Sequence, residues 1–259
     1  MVSTEWGTGS NELRAADQKL IRSLPLFRDV TAAHFDELVG AGFLQRFPPH
    51  VTLIQEGELP DFLHIVVEGT VELFAVDSGR ETTLDIIHPV ASFILAAVIR
   101  DEPYLKSGRT LTAAQVLMIP APAVRDVFGR DAAFARAVVD ELAIRYRTIV
   151  RALKNQKLRT GAERLANWIL STDRHNGSSG RYRLPHDKRT LAALLGMTAE
   201  NLSRNLAELK NHGVSSVGRD IVVDDRAALQ RFARPNELID GPGATATVIL
   251  AARRIAGRD

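Results

Sequence analysis

The spacing of apolar positions switches from helical to strand-like and back along the chain, and each switch marks a structural boundary. From Asp17 the spacing is helical. Leu20, Ile21 and Leu24 share one face of a short helix that breaks at Pro25, and Phe35, Leu38 and Val39 share the inner face of another, capped by Thr31. From Phe43 to Ile119, short runs rich in β-branched residues alternate with turn residues, among them Gly57, Pro60, Asp61, Gly69, Ser78 and Gly79. Evenly spaced short strands predict a sandwich or rolled sheet, with Gly57 and Gly69 at its corners. From Ala123 the helical period returns. Ala135, Val138, Leu142, Tyr146, Ile149 and Leu153 step by three or four, a narrow seam sustained over about five turns. A stripe of this kind between two domains predicts a homodimer interface of Val138, Leu142, Tyr146, Ile149 and Leu153. The alternative is packing against its own domain.

Residues 160–172 predict a further helix carrying Leu165, Trp168, Ile169 and Leu170, followed by a loop, HNGSSGR. The stretch from Leu184 to Leu209 then reads as a helix-turn-helix. Its first helix spans Lys188 to Leu195, with Leu191, Ala192, Leu194 and Leu195 inward. Gly196 supplies the left-handed turn, and Thr198 caps the second helix. Leu202, Leu206 and Leu209 point to the core. That leaves Glu200, Asn201, Ser203 and Arg204 outward, where this motif reaches base edges in the major groove. Arg204 can donate two parallel bonds to guanine, Glu200 can accept from a cytosine amino group, and Ser203 is small enough to approach a base edge or a thymine methyl. The bland alternative is a helical hairpin with a solvated polar face. HGVSSVGRDIVVDD predicts a hairpin wing with Arg219 near its tip, in reach of phosphate, and residues 227–232 a closing helical turn. After Pro235 comes a tail of no assigned role, in which VILAARRIA has helical spacing.

These elements predict an α+β chain in five parts. They are a mobile N-terminus (1–16), a sensor β domain (17–122), a dimerisation helix (123–157), a winged helix-turn-helix (158–234) and the tail (235–259). A length of 259 residues and 45% hydrophobic content suit two cores. The net charge of +2 points to no particular partner, but its distribution does. Seven basic residues, Arg145, Arg147, Arg151, Lys154, Lys157, Arg159 and Arg164, face one acid, Glu163, over twenty positions. A solvated helix face is the bland account of that run. There are no cysteines, which excludes disulfides, thiolate zinc sites and cysteine-ligated iron–sulfur clusters. No apolar run approaches the ~20 residues of a membrane span. The first residues lack a basic stretch followed by an apolar core, so a cytoplasmic location is expected.

A rolled β domain, a long helix and a winged helix-turn-helix, in that order, resemble the CRP/FNR family of bacterial transcription regulators over about residues 17–234. GELPDFLHIVVEGTVEL, with Gly57, Glu58, Gly69 and Val71, is similar to the family's sheet-corner pattern. MTAENLSRNLAELKNHGV followed by IVV is similar to its Glu-x-x-Ser-Arg recognition helix and wing. Glu200, Ser203 and Arg204 match the FNR-type version. The resemblance therefore implies an N-terminal double-stranded β-helix, or jelly roll, that holds an effector. It implies a homodimer on double-stranded DNA, an inverted repeat of TTGAT-like half-sites one helical turn (~34 Å) apart, and RNA polymerase as the onward partner.

The departures from the family pattern concern the effector. Cyclic-nucleotide members carry a Phe-Gly-Glu-Leu cassette followed by Arg-Ser/Thr-Ala. Here FILAAVIRDEPYLKSGRTLTAA keeps Arg109 and Thr110 but places Ile94 and Leu95 where Gly-Glu should stand. An aliphatic pair gives neither close backbone approach nor a grip on ribose, so cyclic AMP is not the expected effector. Arg109 is expected to pair with Asp101 or Glu102, binding of another anion being the alternative. Phe93, Ile94, Leu95, Val98, Arg109 and Thr110 are the expected effector pocket, unless the apolar run simply fills the barrel. Without cysteines the iron–sulfur mechanism of the oxygen sensors is excluded. Haem is a candidate cofactor, as in related gas sensors, with His64 or His88 as iron ligand; a surface or hydrogen-bonded histidine is the plainer reading of either. The rolled domain also resembles cupins, some of which are metal enzymes. His64 and Glu68, four apart on one strand, would share a face, but no second histidine joins them, and no nucleophile elbow or phosphate loop is present. An enzyme is not expected.

Overall fold

The computed structural model describes residues 15–241. They divide into two units, residues 15–72 with 87–142 and residues 73–86 with 143–241. The chain opens with three short helices, α1 (Ala15–Arg22), α2 (Pro25–Arg28) and α3 (Ala32–Gly40). Pro25 does not merely end a helix. It starts α2, at a position where a missing N–H leaves nothing unsatisfied. Thr31 caps α3, its hydroxyl accepting from the His34 amide.

The strands are β1 (Phe43–Phe47), β2 (Thr52–Ile54), β3 (Phe62–Glu68), β4 (Val71–Asp77), β5 (Arg80–Ile87), β6 (Ala91–Phe93), β7 (Ser107–Thr110) and β8 (Ala114–Pro120), with helix α4 (Leu95–Arg100) between β6 and β7. They form two four-stranded sheets, in the orders β1-β8-β3-β6 and β2-β7-β4-β5. Alternation along β3 and β8 decides the layering. Leu63, Ile65 and Val67, with Leu117 and Ile119, join Ile21, Phe27 and Leu38 of the helices in one core. His64 takes the opposite face, level with Phe93 and Met118 across the ladder. Gly69 has φ 78°, and an added Cβ would meet the Ala113 carbonyl oxygen at 2.2 Å, so only glycine makes this corner.

Helices α5 (Ala121–Arg130) and α6 (Ala132–Leu158) follow. The start of α6 belongs to the first core: Phe134 stacks on Phe27, with ring centroids 6.0 Å apart. This corrects part of the expected dimer seam. Val138 is 1% exposed in that core, and Leu142 packs partly against it. Tyr146, Ile149 and Leu153 are 68%, 65% and 55% exposed, and Val139 and Val150 are exposed with them. Solvent-facing apolar side chains therefore run from Val139 to Leu153, on the outer side of Val138.

The second unit holds the rest of α6, then α7 (Gly161–His175), β9 (Arg181–Arg183), α8 (Lys188–Leu194), α9 (Ala199–Leu209), β10 (Val214–Val217), β11 (Asp220–Val223), α10 (Arg226–Ala233) and α11 (Glu237–Asp240). Leu165, Ile169, Leu191, Leu202, Leu206, Leu209, Ile221 and Leu229 form its core. The wing is three-stranded, in the order β10-β11-β9, one strand more than the expected hairpin. Strand β9 leaves no trace in the hydrophobic pattern, because three residues with one buried side chain, Tyr182, give no period. Helix α11 is a second addition, within the stretch expected to be a tail. VILAARRIA lies outside the described residues.

Candidate nucleic-acid interface and effector domain

Helices α8 and α9 are shaped by their caps. Asp187 accepts from the Thr190 amide at 2.7 Å to start α8, and Thr198 accepts from the Asn201 amide at 3.2 Å to start α9. Gly196 turns the chain between them in a left-handed conformation, φ 62°, that strains any residue but glycine, with the end of the Gln156 side chain against it. Leu202, Leu206 and Leu209 are buried, so Glu200, Asn201, Ser203 and Arg204 face solvent together on the first two turns of α9. Arg204 Nη2 donates to Asn201 Oδ1 at 2.8 Å, which holds the guanidinium extended along the helix face. The Ser203 hydroxyl donates back to the Ala199 carbonyl at 3.0 Å. Glu200 is held below the ordinary carboxylate range by its own amide and the Thr198 hydroxyl, so it remains an acceptor.

Two supports go beyond the sequence pattern. Arg164 closes the turn: Nε donates to the Leu195 carbonyl at 2.8 Å and Nη2 to that of Gly196 at 3.2 Å. Carbonyls at a helix end need such a donor, and that need is the signal the basic run concealed. Asn205, on the flank of α9, donates to Met197 Sδ and closes over Gly161. In the wing, Arg219 is exposed but not free at the tip, since Nη2 donates to the Leu184 carbonyl at 2.8 Å and ties the hairpin to the strand before α8. Within the basic run, Arg159 and Arg164 are structural, whereas Arg147 and Lys157 are exposed.

In the first unit the six residues expected to form an effector pocket do not converge. Ile94, Leu95 and Val98 pack into the core shared with the N-terminal helices, not into the space between the sheets. Ile94 keeps a left-handed conformation, φ 61°, at the point where the cassette would carry glycine. The Thr110 hydroxyl donates to the Pro48 carbonyl at 2.7 Å and accepts from the Val51 amide. Arg109 pairs with neither Asp101 nor Glu102. Its Nε and Nη2 lie 2.8 and 2.7 Å from Oε2 of the buried Glu72, while Arg125 takes Asp101 and Arg100 takes Glu102.

Phe93 lies against His64, with centroids 5.2 Å apart, and Phe62 flanks the other edge. Burial drives the His64 pKa from 6.5 to about 4, which suits a neutral imidazole. Its Nδ1 has no hydrogen-bond partner. A haem ligated by His64 fits poorly, because the macrocycle would have to displace Phe93. His88 is buried after β5. A register shift between Val66 and Glu68 leaves Glu68 exposed while His64 stays inside, so these two do not make a shared ligand pair. Among the described residues no three His, Cys, Asp or Glu side chains cluster for a metal ion. No helix among them is long and apolar enough to cross a membrane.

Comparison with known proteins agrees with this arrangement. A cyclic nucleotide-binding domain model matches residues 44–131, and a Crp-like helix-turn-helix domain model matches residues 163–232. The CRP-like cAMP-activated global transcriptional regulator of Mycobacterium tuberculosis is 26% identical over 194 residues, covering 73% of this chain and 87% of that protein. The HTH-type transcriptional regulator Cmr of the same organism is 25% identical over 213 residues, covering 82% and 83%. The structure of FixK2 from Bradyrhizobium japonicum superposes with TM-score 0.64 at 22% identity, covering 75% of this chain and 98% of that one, a likeness of fold.

Proposed function

Because the chain belongs to the CRP/FNR family of transcription regulators, we propose that it acts in the cytoplasm as a homodimer that reads an inverted repeat of TTGAT-like half-sites. The observation that carries this reading is the outward face of α9. Glu200, Ser203 and Arg204 stand together on its first two turns, with Arg204 braced by Asn201. An acceptor, a small hydroxyl and a two-pronged donor at that spacing match base-edge recognition in the major groove. The exposed run Tyr146, Ile149 and Leu153 supports dimerisation, since an apolar stripe of this size is rarely left in water. RNA polymerase is the partner through which such a protein would activate genes.

The effector is a ligand other than cyclic AMP. Arg109 is already engaged by Glu72, and Leu95 stands where a ribose-binding carboxylate would be needed and points into the helix-side core. An effector acts by binding one arrangement of the two reading heads better than the other.

The test is a mobility-shift titration of the purified protein on an inverted TTGAT repeat, a repeat with both half-sites scrambled, and a single half-site. The reading expects the intact repeat to be bound at least about tenfold more tightly than either control. Equal binding to all three would remove sequence-specific recognition.

A further inference from the structure

The joint between the long helix and the DNA-reading fold is held by a carboxylate from beyond that fold. Helix α6 ends at Leu158 and Thr160 caps α7, so Arg159 alone lies between them. Its side chain is 7% exposed. Nη1 donates to Asn155 Oδ1 at 3.1 Å, and Nη1 and Nη2 donate to Oδ1 and Oδ2 of Asp240 at 2.7 and 2.5 Å. The Arg159 carbonyl accepts from Arg164 Nη1, and Arg164 also closes the turn between α8 and α9. Asp240 is fixed in turn. It ends α11, its Oδ2 accepts from the Asn236 amide, and Ile239 beside it is buried. The Arg159 side chain thus joins α6 to α11, while its backbone carbonyl is held by Arg164 of α7, the same arginine that closes the helix-turn-helix turn. The matched helix-turn-helix model stops at residue 232, and the segment carrying Asp240 lies beyond that match.

A bidentate guanidinium–carboxylate fork fixes direction as well as distance, unlike a lone ammonium contact. At this burial, removal of either partner strands a charge, so the pair holds both segments firmly. We propose that Asp240 is a positioning residue for DNA reading: through Arg159 it fixes the angle between α6 and α7, and with it the separation of the two recognition helices in the dimer. The inference rests on the reading of the chain as a dimeric reader of an inverted repeat. A stiff joint makes the protein selective for one spacer length. A joint released from Asp240 lets each reading head adjust, and neighbouring spacers become acceptable.

The experiment compares full-length wild type with Asp240→Asn and with the double variant Arg159→Gln/Asp240→Asn, which leaves no unpaired buried charge. Each is titrated on the inverted repeat, on repeats with the spacer lengthened or shortened by single base pairs, and on an isolated half-site. Thermal unfolding verifies that each variant is folded. Wild type is expected to lose about tenfold or more per base pair of spacer change, because each added pair rotates and displaces one half-site. The variants are expected to lose less than about threefold, with half-site affinity unchanged, an outcome that a merely stabilising contact would not produce. A folded double variant with wild-type spacer discrimination overturns the clamp alone, as does a loss uniform across all spacers. Wild type that ignores the repeat at every spacing overturns the dimeric reader together with the clamp, so the two failures are distinguishable.

Discussion

The His34 ring donates from Nδ1 to Oδ2 of Asp131 across 2.8 Å, and the same carboxylate starts the long helix. Asp131 Oδ1 accepts from the amides of Ala133 and Phe134 at 2.9 Å each, and Oδ2 accepts from the amide and hydroxyl of Thr31. Burial works to raise its pKa, but the Phe134 amide, His34 and Thr31 outweigh it and hold the carboxyl well below the usual carboxylate range.

A depressed carboxylate contributes stability that is present above the unfolded value, near 3.9, and lost as pH falls below it. Asp131→Asn is therefore expected to flatten the acid limb of the stability curve below about pH 4. At pH 7, Asp131→Ala should cost about 1–2 kcal/mol by removing the helix cap. Urea unfolding across pH checks both. An unchanged acid limb in Asp131→Asn would show that another group governs acid sensitivity.

His64 acts with the same sign for a different reason and in a higher pH window. Its folded pKa of about 4 lies below the unfolded 6.5 because burial disfavours the cation. The unfolded chain thus binds the proton first, and stability falls as pH drops from 6.5 towards 4, by about 3 kcal/mol in all. His64→Leu, with Phe93 and Phe62 beside it, should flatten that window and add about 1 kcal/mol at pH 7 by removing an unpartnered buried nitrogen. Unfolding at pH 7 and pH 5 decides it, and a variant that tracks wild type between those values would refute the assignment.

Much of this was legible because period and caps act locally. Thr31, Thr198 and the inward leucines of α9 behave as their spacing demands. Burial of the stripe on α6 was only half legible. Val138 and Tyr146 share one periodicity, yet the first touches Phe134's core and the second faces water, a distinction made by tertiary packing. The partners of Arg109 and Arg159 were not legible at all. Glu72 lies 37 positions away and Asp240 81, and no local pattern couples them.

That division of α6 is itself testable. Tyr146→Glu and Leu153→Glu should weaken the dimer by roughly a hundredfold while leaving the unfolding midpoint of the monomer near its wild-type value. Val138→Glu should unfold the first unit instead, since it places a charge in a closed core. Sedimentation velocity with circular dichroism separates the outcomes. Dimers that persist in the double variant Tyr146→Glu/Leu153→Glu would move the interface elsewhere.

The Arg109–Glu72 pair predicts indifference to cyclic AMP. Calorimetric titration of wild type should give no saturable heat up to about 1 mM ligand, a ceiling of roughly 4 kcal/mol of binding. Glu72→Ala should destabilise by about 1–3 kcal/mol because it removes a buried carboxylate that the Arg109 guanidinium binds through two nitrogens, and the double variant Arg109→Ala/Glu72→Ala should regain part of that. Saturable binding by wild type at micromolar ligand would reinstate the cyclic nucleotide as effector.

Arg204 and Lys157 should fail differently when substituted. Arg204 lies on the outward face of α9 with its guanidinium extended by Asn201, so its contribution is expected at one base pair. Arg204→Ala should cost about 1–3 kcal/mol on the cognate repeat, little on random DNA, and relax preference at a single position of each half-site. Lys157 is exposed on the last turn of α6 and has only a charge to offer. Lys157→Gln should weaken binding to cognate and random DNA alike and lower the salt slope by about 0.9 for each phosphate that the lysine neutralises. Arg159, committed to Asp240, should not produce that change of slope, although it belongs to the same basic run. Titrations at several salt concentrations on both DNAs resolve the three cases. An equal loss on cognate and random DNA for Arg204→Ala would demote that arginine from base reader to phosphate ligand.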